Sequence, residues 1–331
     1  MGARPRTSPQ RLRRLVEELA EAGLDLDGSA GWHELAVEEL DYALRPDVHE
    51  RRVPSVGAIV EPTTDPATWG DGTALTIERR AVGERSTESA RRYADGLSSW
   101  LIRRHDHRDE WAVFDRPAGS ERDLVVLAET LDAVLVQRHP SGTVRIVGTF
   151  GVCRWDGLAW HHEPLVTTWI DAVDACSVHG DREVLETLLE FAVHDLGSRG
   201  VGATLVYRPD QQLGTSFEVR LPPPPPLQIL HPADLAPLRH VLGQVDGATL
   251  FDVDGALLQI GVRLVPTAMA EGAVDAHRGT RHTAARRYSY DDPTATVIVV
   301  SEDGPVTVLR AGHILGASPR QAELEGAQQE R

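Results

Sequence analysis

The chain has 331 residues, 41% of them hydrophobic and 25% charged, which is ordinary for a globular protein of about two domains. All 34 basic residues are arginine, and they stand against 50 acidic residues, for a formal net charge of −16. This balance disfavours binding to DNA or to an anionic membrane surface, and the lack of lysine excludes a Schiff-base lysine and a Walker-type phosphate loop. No apolar run nears the ~20 residues of a membrane span and no secretory signal begins the chain, so we expect a cytoplasmic protein without a membrane partner.

The segment 1–100 is predicted to be mostly helical. One helix begins at Ser8-Pro9 and ends at Gly23, and a second covers 34–44. A third starts near Ser86 and has apolar residues at helical spacing as far as Leu101. The intervening stretch 54–72 is rich in Pro, Thr, Asp and Gly and is predicted to be a loop.

From about Trp111, short apolar runs predict a small antiparallel sheet. Its strands are expected at 124–128, 133–137, 143–148, 151–155 and 158–161. All seven tryptophans lie at or before Trp169, so the composition changes there. We therefore place a domain boundary between Trp169 and Asp181.

Beyond this boundary, helices and strands alternate, which predicts an α/β domain. Helices are expected at 183–196 and 232–245, and strands at 202–207, 249–252, 257–264, 296–301 and 306–310. The five prolines at 222–226 are predicted to form a stiff surface connection, because proline cannot take part in the centre of a sheet.

Two Asp-Gly-Ala triplets follow one another, at 246–248 and 254–256. Asp254-Gly255 suits the tight turn of a hairpin. Asp246 instead lies where a helix runs into a strand, and the glycine behind it would let a ligand approach the backbone closely. Taken alone, Asp246 is better explained as a turn residue at the end of a helix, and the motif at 279–282 shifts the balance towards a functional role.

Four arginines and a histidine lie within ten residues, at 278–287. Gly279 and Thr280 introduce a predicted helix start, so free backbone N–H groups and arginine side chains would meet at one helix N-terminus and suit a polyphosphate. His282 could bind a divalent metal or a phosphate oxygen. The alternative is a solvated helix face, since arginine is the only cation that this sequence uses.

Taken in order, these motifs resemble the diadenylate cyclase domain, which occurs in the DNA integrity scanning protein and in cyclic di-AMP synthases. The resemblance covers roughly 183–314 and rests on the strand at 202–207, the Asp-Gly-Ala at 246–248, the Gly-Thr-Arg-His at 279–282 and the Val-Val-Ser-Glu at 299–302. It implies an α/β domain, a mixed sheet flanked by helices, at 181–315. A regulatory or sensor-like region of helices and a small sheet would precede it at 1–175, and a polar tail would follow at 316–331.

In that family, two domains face each other and condense two ATP into cyclic di-AMP with release of two pyrophosphates. The resemblance therefore implies ATP as substrate, Mg²⁺ or Mn²⁺ as cofactor, and a second copy of the chain as partner in a face-to-face dimer or higher oligomer, with no DNA partner. Asp246, Arg281 and His282 would be catalytic, with Asp246 and His282 as metal ligands. The nucleotide would be bound by Arg281 and by a further set of residues: Gly247, Ala248, Gly279, Thr280, Ser301 and Glu302.

One position departs from the family pattern. The family usually reads Arg-His-Arg, whereas Thr283 follows His282 here, so one phosphate contact is missing unless Arg286 or Arg287 replaces it from the next turn. If neither does, the domain would bind nucleotide without turning it over. The sequence thus leaves open a cyclase, a nucleotide-binding sensor of the same fold, and a structural α/β protein with an accidental motif.

Overall fold

The computed structural model describes residues 8–48, 53–83, 85–105, 108–163, 165–174, 181–210, 217–276, 279–302 and 306–317. The chain divides into two compact units, Met1–Leu165 and Val166–Arg331. The division lies before the boundary region 169–181 that tryptophan usage suggested, so the helix that follows it belongs to the second unit.

The first unit is an eight-stranded sheet with helices on both faces. In chain order its helices are α1 (Pro9–Glu21), α2 (His33–Leu44), α3 (Trp69–Thr73), α4 (Thr87–Arg91) and α5 (Glu121–Leu131). Its strands are β1 (Val56–Val60), β2 (Ile77–Ala81), β3 (Ser99–Arg103), β4 (Glu110–Phe114), β5 (Val134–Arg138), β6 (Val144–Gly148), β7 (Gly151–Trp155) and β8 (Trp160–Glu163). They are ordered β2-β4-β3-β1-β5-β6-β7-β8, and apolar side chains of α1 and α2 cover one face while those of α3 and α5 cover the other.

The prediction that 1–100 is mostly helical was wrong. Strand β1 lies inside the predicted loop 54–72, and the helix expected from Ser86 to Leu101 is only the short α4, followed by β3. Gly96 separates the two with a φ of +70°, and a side chain there would meet the Val56 carbonyl oxygen at 2.6 Å. The helical spacing of apolar residues therefore does not continue as a helix, because the chain turns at Gly96 to form β3.

The run 124–128, predicted to be a strand, is the middle of α5. Ser120 and Asp123 form a reciprocal capping box in which each side chain accepts a hydrogen bond from the other residue's backbone N–H. A short apolar run does not distinguish strand from buried helix, and this cap decides for the helix. The sheet is also neither small nor purely antiparallel, because β1 pairs with β3 in parallel.

The buried acids of the first unit are paired with arginines. Glu39 accepts hydrogen bonds from Arg91, at 2.9 Å from Nε and 2.7 Å from Nη2, and also contacts Arg103. Glu121 accepts from Arg154, at 2.6 Å from Nη2, while Arg145 Nε lies 3.4 Å away. Burial alone would lower the pKa of the Arg154 guanidinium, but the charge of Glu121 outweighs it and the pKa is raised. These charges are held by one another within the fold.

The second unit is a seven-stranded sheet with helices on both faces. Its helices are α6 (Thr167–Asp174), α7 (Arg182–Glu190), α8 (Pro232–Leu242), α9 (Ala268–Ala273) and α10 (Thr280–Asp291), and a π-helical turn, Phe191–Leu196, extends α7. Its strands are β9 (Ala203–Tyr207), β10 (Phe217–Glu218), β11 (Ala248–Phe251), β12 (Leu257–Leu264), β13 (Thr296–Val300), β14 (Val306–Arg310) and β15 (His313–Ala317). The strand order is β10-β12-β11-β9-β13-β14-β15, with β9 and β11 parallel and the other pairs antiparallel.

This unit confirms the predicted α/β class, a mixed sheet flanked by helices. Asp254-Gly255 forms the predicted hairpin turn between β11 and β12, where the Asp252 carboxylate accepts from the backbone N–H of Asp254 at 3.1 Å. Strand β15 was not predicted, and it runs two residues beyond the expected domain end at 315. The rest of the predicted tail, from 318, lies outside the described residues.

Candidate functional site

One edge of the second sheet gathers the ends of four strands. In the sheet register, Ala248 of β11 pairs with Thr204 of β9 and with Val262 of β12, and Val300 of β13 pairs with Ala203. Because β9 and β11 begin at this edge while β12 and β13 end there, the segments that precede β11 and follow β13 come together. The sequence-distant Asp246 and Ser301 therefore lie at the same edge.

An open cavity of about 770 Å³ lies at this edge. Its lining combines the first Asp-Gly-Ala triplet, the end of β12 and the first two turns of α10. The lining residues are Thr204, Asp246, Gly247, Ala248, Val262, Arg263, Leu264, Pro266, Ala276, Gly279, Thr280, Arg281, Thr283, Ala284 and Arg287. The structure thus brings together the motifs at 246–248 and 279–281, which are more than 30 residues apart in the chain.

The triplet owes its shape to a close approach of two strands. Gly247 has a φ of +114°, and a side chain there would lie 2.7 Å from the carbonyl carbon of Gly261, which has a φ of +65° itself. The register between β11 and β12 shifts after Ala248. Both glycines are therefore required by the backbone, and the bend leaves Asp246 exposed at the cavity.

The N-terminus of α10 faces the cavity. Gly279 precedes the helix with a φ of +88°, and the Thr283 N–H and hydroxyl both donate to its carbonyl, at 3.2 and 3.0 Å. The first turn carries no acidic residue. The unsatisfied N–H groups and the positive end of the helix dipole are therefore directed at the cavity without a competing carboxylate from the helix itself.

Arg281 lies over the start of β9. A side chain at Gly202 would overlap Nη1 of Arg281 and would lie 2.8 Å from Cγ of Glu302. Among the described residues, the Arg281 guanidinium has no hydrogen-bond or ion-pair partner, although it is half-buried and lines the cavity. Since a partly buried charge without a partner is costly, this guanidinium is suited to an anionic ligand.

Arg286 and Arg287, on the next turn of α10, point in different directions. Either could have replaced the arginine that the family pattern has at the position of Thr283. Arg286 donates from Nε to the Gly312 carbonyl at 2.7 Å and does not line the cavity. Arg287 lines the cavity, with Nε bonded to the Val274 carbonyl at 3.2 Å and Nη1 lying 3.9 Å from the exposed Glu271. Of the two, Arg287 is therefore the one placed to contact a bound phosphate.

Metal binding at this site would depend on the substrate. Asp246 is the one carboxylate in the cavity lining, and the described part of the chain contains no group of three or more His, Cys, Asp or Glu residues that could hold an ion. Mg²⁺ is commonly bound by one or two carboxylates together with substrate phosphates. Asp246 fits that role, and we found no preformed metal cage among the described residues.

Six of the predicted site residues line the cavity: Asp246, Gly247, Ala248, Gly279, Thr280 and Arg281. His282, Ser301 and Glu302 do not, so their phosphate, metal and nucleotide contacts stay predictions. His282 precedes Arg286 by one helical turn and so shares the side of α10 that bonds to Gly312. Arg278, part of the predicted cluster, lies outside the described residues.

Sequence reasoning missed several lining residues, among them Thr204. The alternation along β9 could have indicated it, since Ala203 and Leu205 belong to the core under α7 and α8 whereas Val206 belongs to the core under α10. The exposed Arg263 and the apolar Leu264 come from the end of β12, where no motif marks them.

Two family models match the chain. Residues 190–314 match the family described as "DisA bacterial checkpoint controller nucleotide-binding" (DAC), and residues 13–163 match "Probable sensor domain DACNK". The first match contains the whole cavity lining. No protein with curated annotation matches the sequence.

Among solved structures, the chain is similar to a hypothetical membrane spanning protein from Bacillus cereus, with 24% identity and a TM-score of 0.30. The likeness covers 38% of this chain, and the chain spans 59% of the length of that one. In this chain, none of the described helices combines the length and the apolar character that crossing a membrane requires.

Proposed function

Residues 190–314 belong to the DAC family of nucleotide-binding domains, and from this premise we propose that the chain is a diadenylate cyclase, which condenses two ATP into one cyclic di-AMP and two pyrophosphates. The observation that carries the proposal is the cavity in which Asp246 meets the N-terminus of α10 and Arg281. The family match supports nucleotide binding, and this juxtaposition supports chemistry on the nucleotide's phosphates.

The reaction makes and breaks one bond at each phosphorus. The 3′-oxygen of each ATP forms a bond to the α-phosphorus of the other ATP, the bond from that phosphorus to the bridging oxygen breaks, and pyrophosphate leaves while the hydroxyl loses its proton. Such a transfer needs positioning and charge neutralisation more than covalent catalysis. In this scheme each cavity would hold one ATP, so the proposal requires a second copy of the chain facing the first.

The scheme gives roles to Asp246, Arg281, Arg287 and the N-terminus of α10. Arg281, Arg287 and the N–H groups of the first turn of α10 would bind the triphosphate and stabilise the charge that develops on it. Asp246 would hold Mg²⁺ or Mn²⁺ together with the phosphates and would accept a hydrogen bond from the 3′-hydroxyl. When bound, the ion would neutralise phosphate charge and make the hydroxyl easier to deprotonate.

Thr283 favours a second candidate, a nucleotide sensor of the same fold with little or no turnover. Its hydroxyl donates to the Gly279 carbonyl four residues earlier, at 3.0 Å, so at this position a neutral intrahelical hydrogen bond replaces the cation of the family pattern. In this alternative, ATP or cyclic di-AMP would bind without reaction. We further propose that the first unit, which matches the DACNK model, senses a signal that regulates the second, and that the protein acts in the cytoplasm.

Incubation of the full-length protein with ATP and Mg²⁺ or Mn²⁺, followed by chromatography and mass detection of cyclic di-AMP, tests the proposal. The chain supplies a matched pair of variants, because Asp246 and Asp254 stand in identical triplets but only Asp246 lines the cavity. We expect product from the wild type and from Asp254→Ala, and at least 100-fold less from Asp246→Ala, a loss typical of a group that acts in the transition state. ATP binding without product in the wild type would instead support the sensor.

A further inference from the structure

A hydroxyl lies on the floor of the cavity among apolar neighbours. Thr204 is 4% exposed and lines the cavity. Its register partners in the sheet are Ala248 and Val299, which are apolar and lie on the same face. No described residue forms a hydrogen bond with the Thr204 side chain. The Thr204 oxygen is not among the fully enclosed, unpartnered side-chain atoms of the described residues, so it can be reached from the cavity. A ligand bound in the cavity could therefore form the hydrogen bond that no described residue supplies.

Other buried threonines of the sheet lie elsewhere. Thr249 is 1% exposed, sits next to Ala248 on β11 and pairs with Leu205 of β9, whose side chain belongs to the core on the opposite face. It does not line the cavity. Buried threonines therefore occur elsewhere in this sheet, but Thr204 differs from Thr249 in that it lines the cavity.

Thr204 lies a short distance along β9 from Arg281, the side chain proposed to bind phosphate. Arg281 lies at Gly202, two residues before Thr204 on the same face of the strand, and two residues span about 7 Å. A phosphate bound at Arg281 would therefore place the sugar or base of the same nucleotide near Thr204. The apolar neighbours of Thr204 suit this neutral part of the ligand better than they suit a phosphate.

On the basis of the proposed nucleotide site, we propose that the Thr204 hydroxyl is a specificity determinant that hydrogen-bonds the nucleoside part of the bound ATP. It thereby distinguishes a nucleotide from a plain polyphosphate. The inference extends the proposed function, and it applies to the cyclase and to the sensor alike because both must bind the nucleoside.

Calorimetric titration of the full-length protein with ATP and, separately, with inorganic tripolyphosphate, each with Mg²⁺, tests the inference. Thr204→Val removes the hydroxyl and keeps the shape, so we expect ATP to bind roughly 2- to 10-fold more weakly while tripolyphosphate binds as before, which is the effect of one neutral hydrogen bond. Thr204→Ser, which restores the hydroxyl, should recover the affinity for ATP. Thr249→Val is the matched control and should bind both ligands as the wild type does.

Two results would overturn the inference while leaving the nucleotide site intact: equal ATP affinity of the wild type and Thr204→Val, or a loss by Thr204→Val that is the same for ATP and tripolyphosphate. A wild-type protein that binds no ATP would overturn the proposed function together with the inference. The titration of the wild type therefore separates the two failures.

Discussion

The partly buried arginines of the first unit and those of the cavity in the second differ in what holds them. In the first unit, Arg91 and Arg154 lie against the buried carboxylates Glu39 and Glu121. At the cavity, Arg281 has no partner among the described residues, and Arg287 is bonded to a backbone carbonyl, with only the exposed Glu271 3.9 Å away. The second unit also contains a paired arginine, since Arg208 lies 3.3 Å from the buried Asp292.

An arginine without a carboxylate partner is therefore a feature of the cavity and not of the second unit as a whole. The chain has 50 acidic residues, so acids to pair with Arg281 are not scarce. A charge paired within the fold serves stability, whereas a half-buried charge directed into a cavity is prepared for an anion. The comparison predicts that mutations in the two places change different measurements, namely unfolding in the first unit and ligand binding in the second.

Glu121→Ala should give the largest effect. It leaves Arg154 and Arg145 without their buried carboxylate, and breaking a buried pair in this way costs about 3–5 kcal/mol. Denaturant unfolding followed by circular dichroism measures the loss. Glu78→Ala is the matched control, because the Glu78–Arg80 pair is exposed and its removal should leave the unfolding midpoint unchanged. Equal effects of the two variants would remove the distinction between buried and exposed pairs.

Gly202→Ala should weaken ATP binding about 10- to 100-fold and change stability little. The added methyl overlaps the end of the flexible Arg281 side chain and lies 2.8 Å from Cγ of Glu302. Both are side chains that can shift without moving the backbone, but Arg281 then loses its position at the cavity. Titration calorimetry and thermal unfolding measure the two effects. Gly243→Ala is a suitable control, because its added side chain would meet nothing closer than 3.6 Å. Unchanged ATP affinity in Gly202→Ala would argue against the assigned position of Arg281.

Arg287→Ala and Arg286→Ala test which neighbouring arginine serves the cavity. We expect Arg287→Ala to lower ATP affinity about 10- to 100-fold, as loss of one charged hydrogen bond would. Arg286→Ala should leave the affinity unchanged and lower only the unfolding temperature, because its guanidinium is bonded to Gly312. The reverse pattern would assign the phosphate contact to Arg286.

Asp156, in the hairpin between β7 and β8, should give the smallest effect. Partial burial acts to raise the pKa of Asp156, but hydrogen bonds from the backbone of Ala159 and Leu158 and from His161 lower it from 3.8 to about 2. A lowered pKa stabilises the fold above the unfolded value, and this contribution is lost as the pH falls from about 4 to about 2. Asp156→Asn should be less stable than the wild type at pH 7 by under ~1 kcal/mol, since the side chain is 48% exposed, and the difference should shrink as the pH falls and vanish below about pH 2. A difference that is independent of pH would contradict this origin.

Much of the second unit could be predicted because several local signals agree there. The apolar run of β9 predicts a buried strand, Asp254-Gly255 predicts a hairpin turn, and the glycine before α10 predicts a helix start. All three elements are found where these signals place them. In the first unit they conflict: the residues from Ala90 to Leu101 have helical spacing, but Gly96 ends the helix early. The parallel pairing of β1 with β3 depends on contacts between distant segments, which periodicity does not report.

The candidate site could be predicted only in part for a similar reason. Asp246 and Gly279–Arg281 carry recognisable motifs, whereas Thr204 is one residue in a buried strand whose meaning depends on where α10 begins. Arg286 and Arg287 differ by one position, which is a rotation of about 100° around the helix. The structure is needed to show that Arg287 lines the cavity while Arg286 bonds to Gly312.

The most direct test of the central claim is the affinity of the full-length wild type, Arg281→Ala and Arg220→Ala for ATP with Mg²⁺, measured by calorimetry. Arg220 is an exposed arginine of the same unit and pairs with Glu218 at 3.3 Å. We expect Arg281→Ala to bind ATP about 10- to 100-fold more weakly than the wild type and Arg220→Ala to bind it equally well. Equal affinity of all three proteins would contradict the claim that Arg281 binds the phosphates of a nucleotide in the cavity.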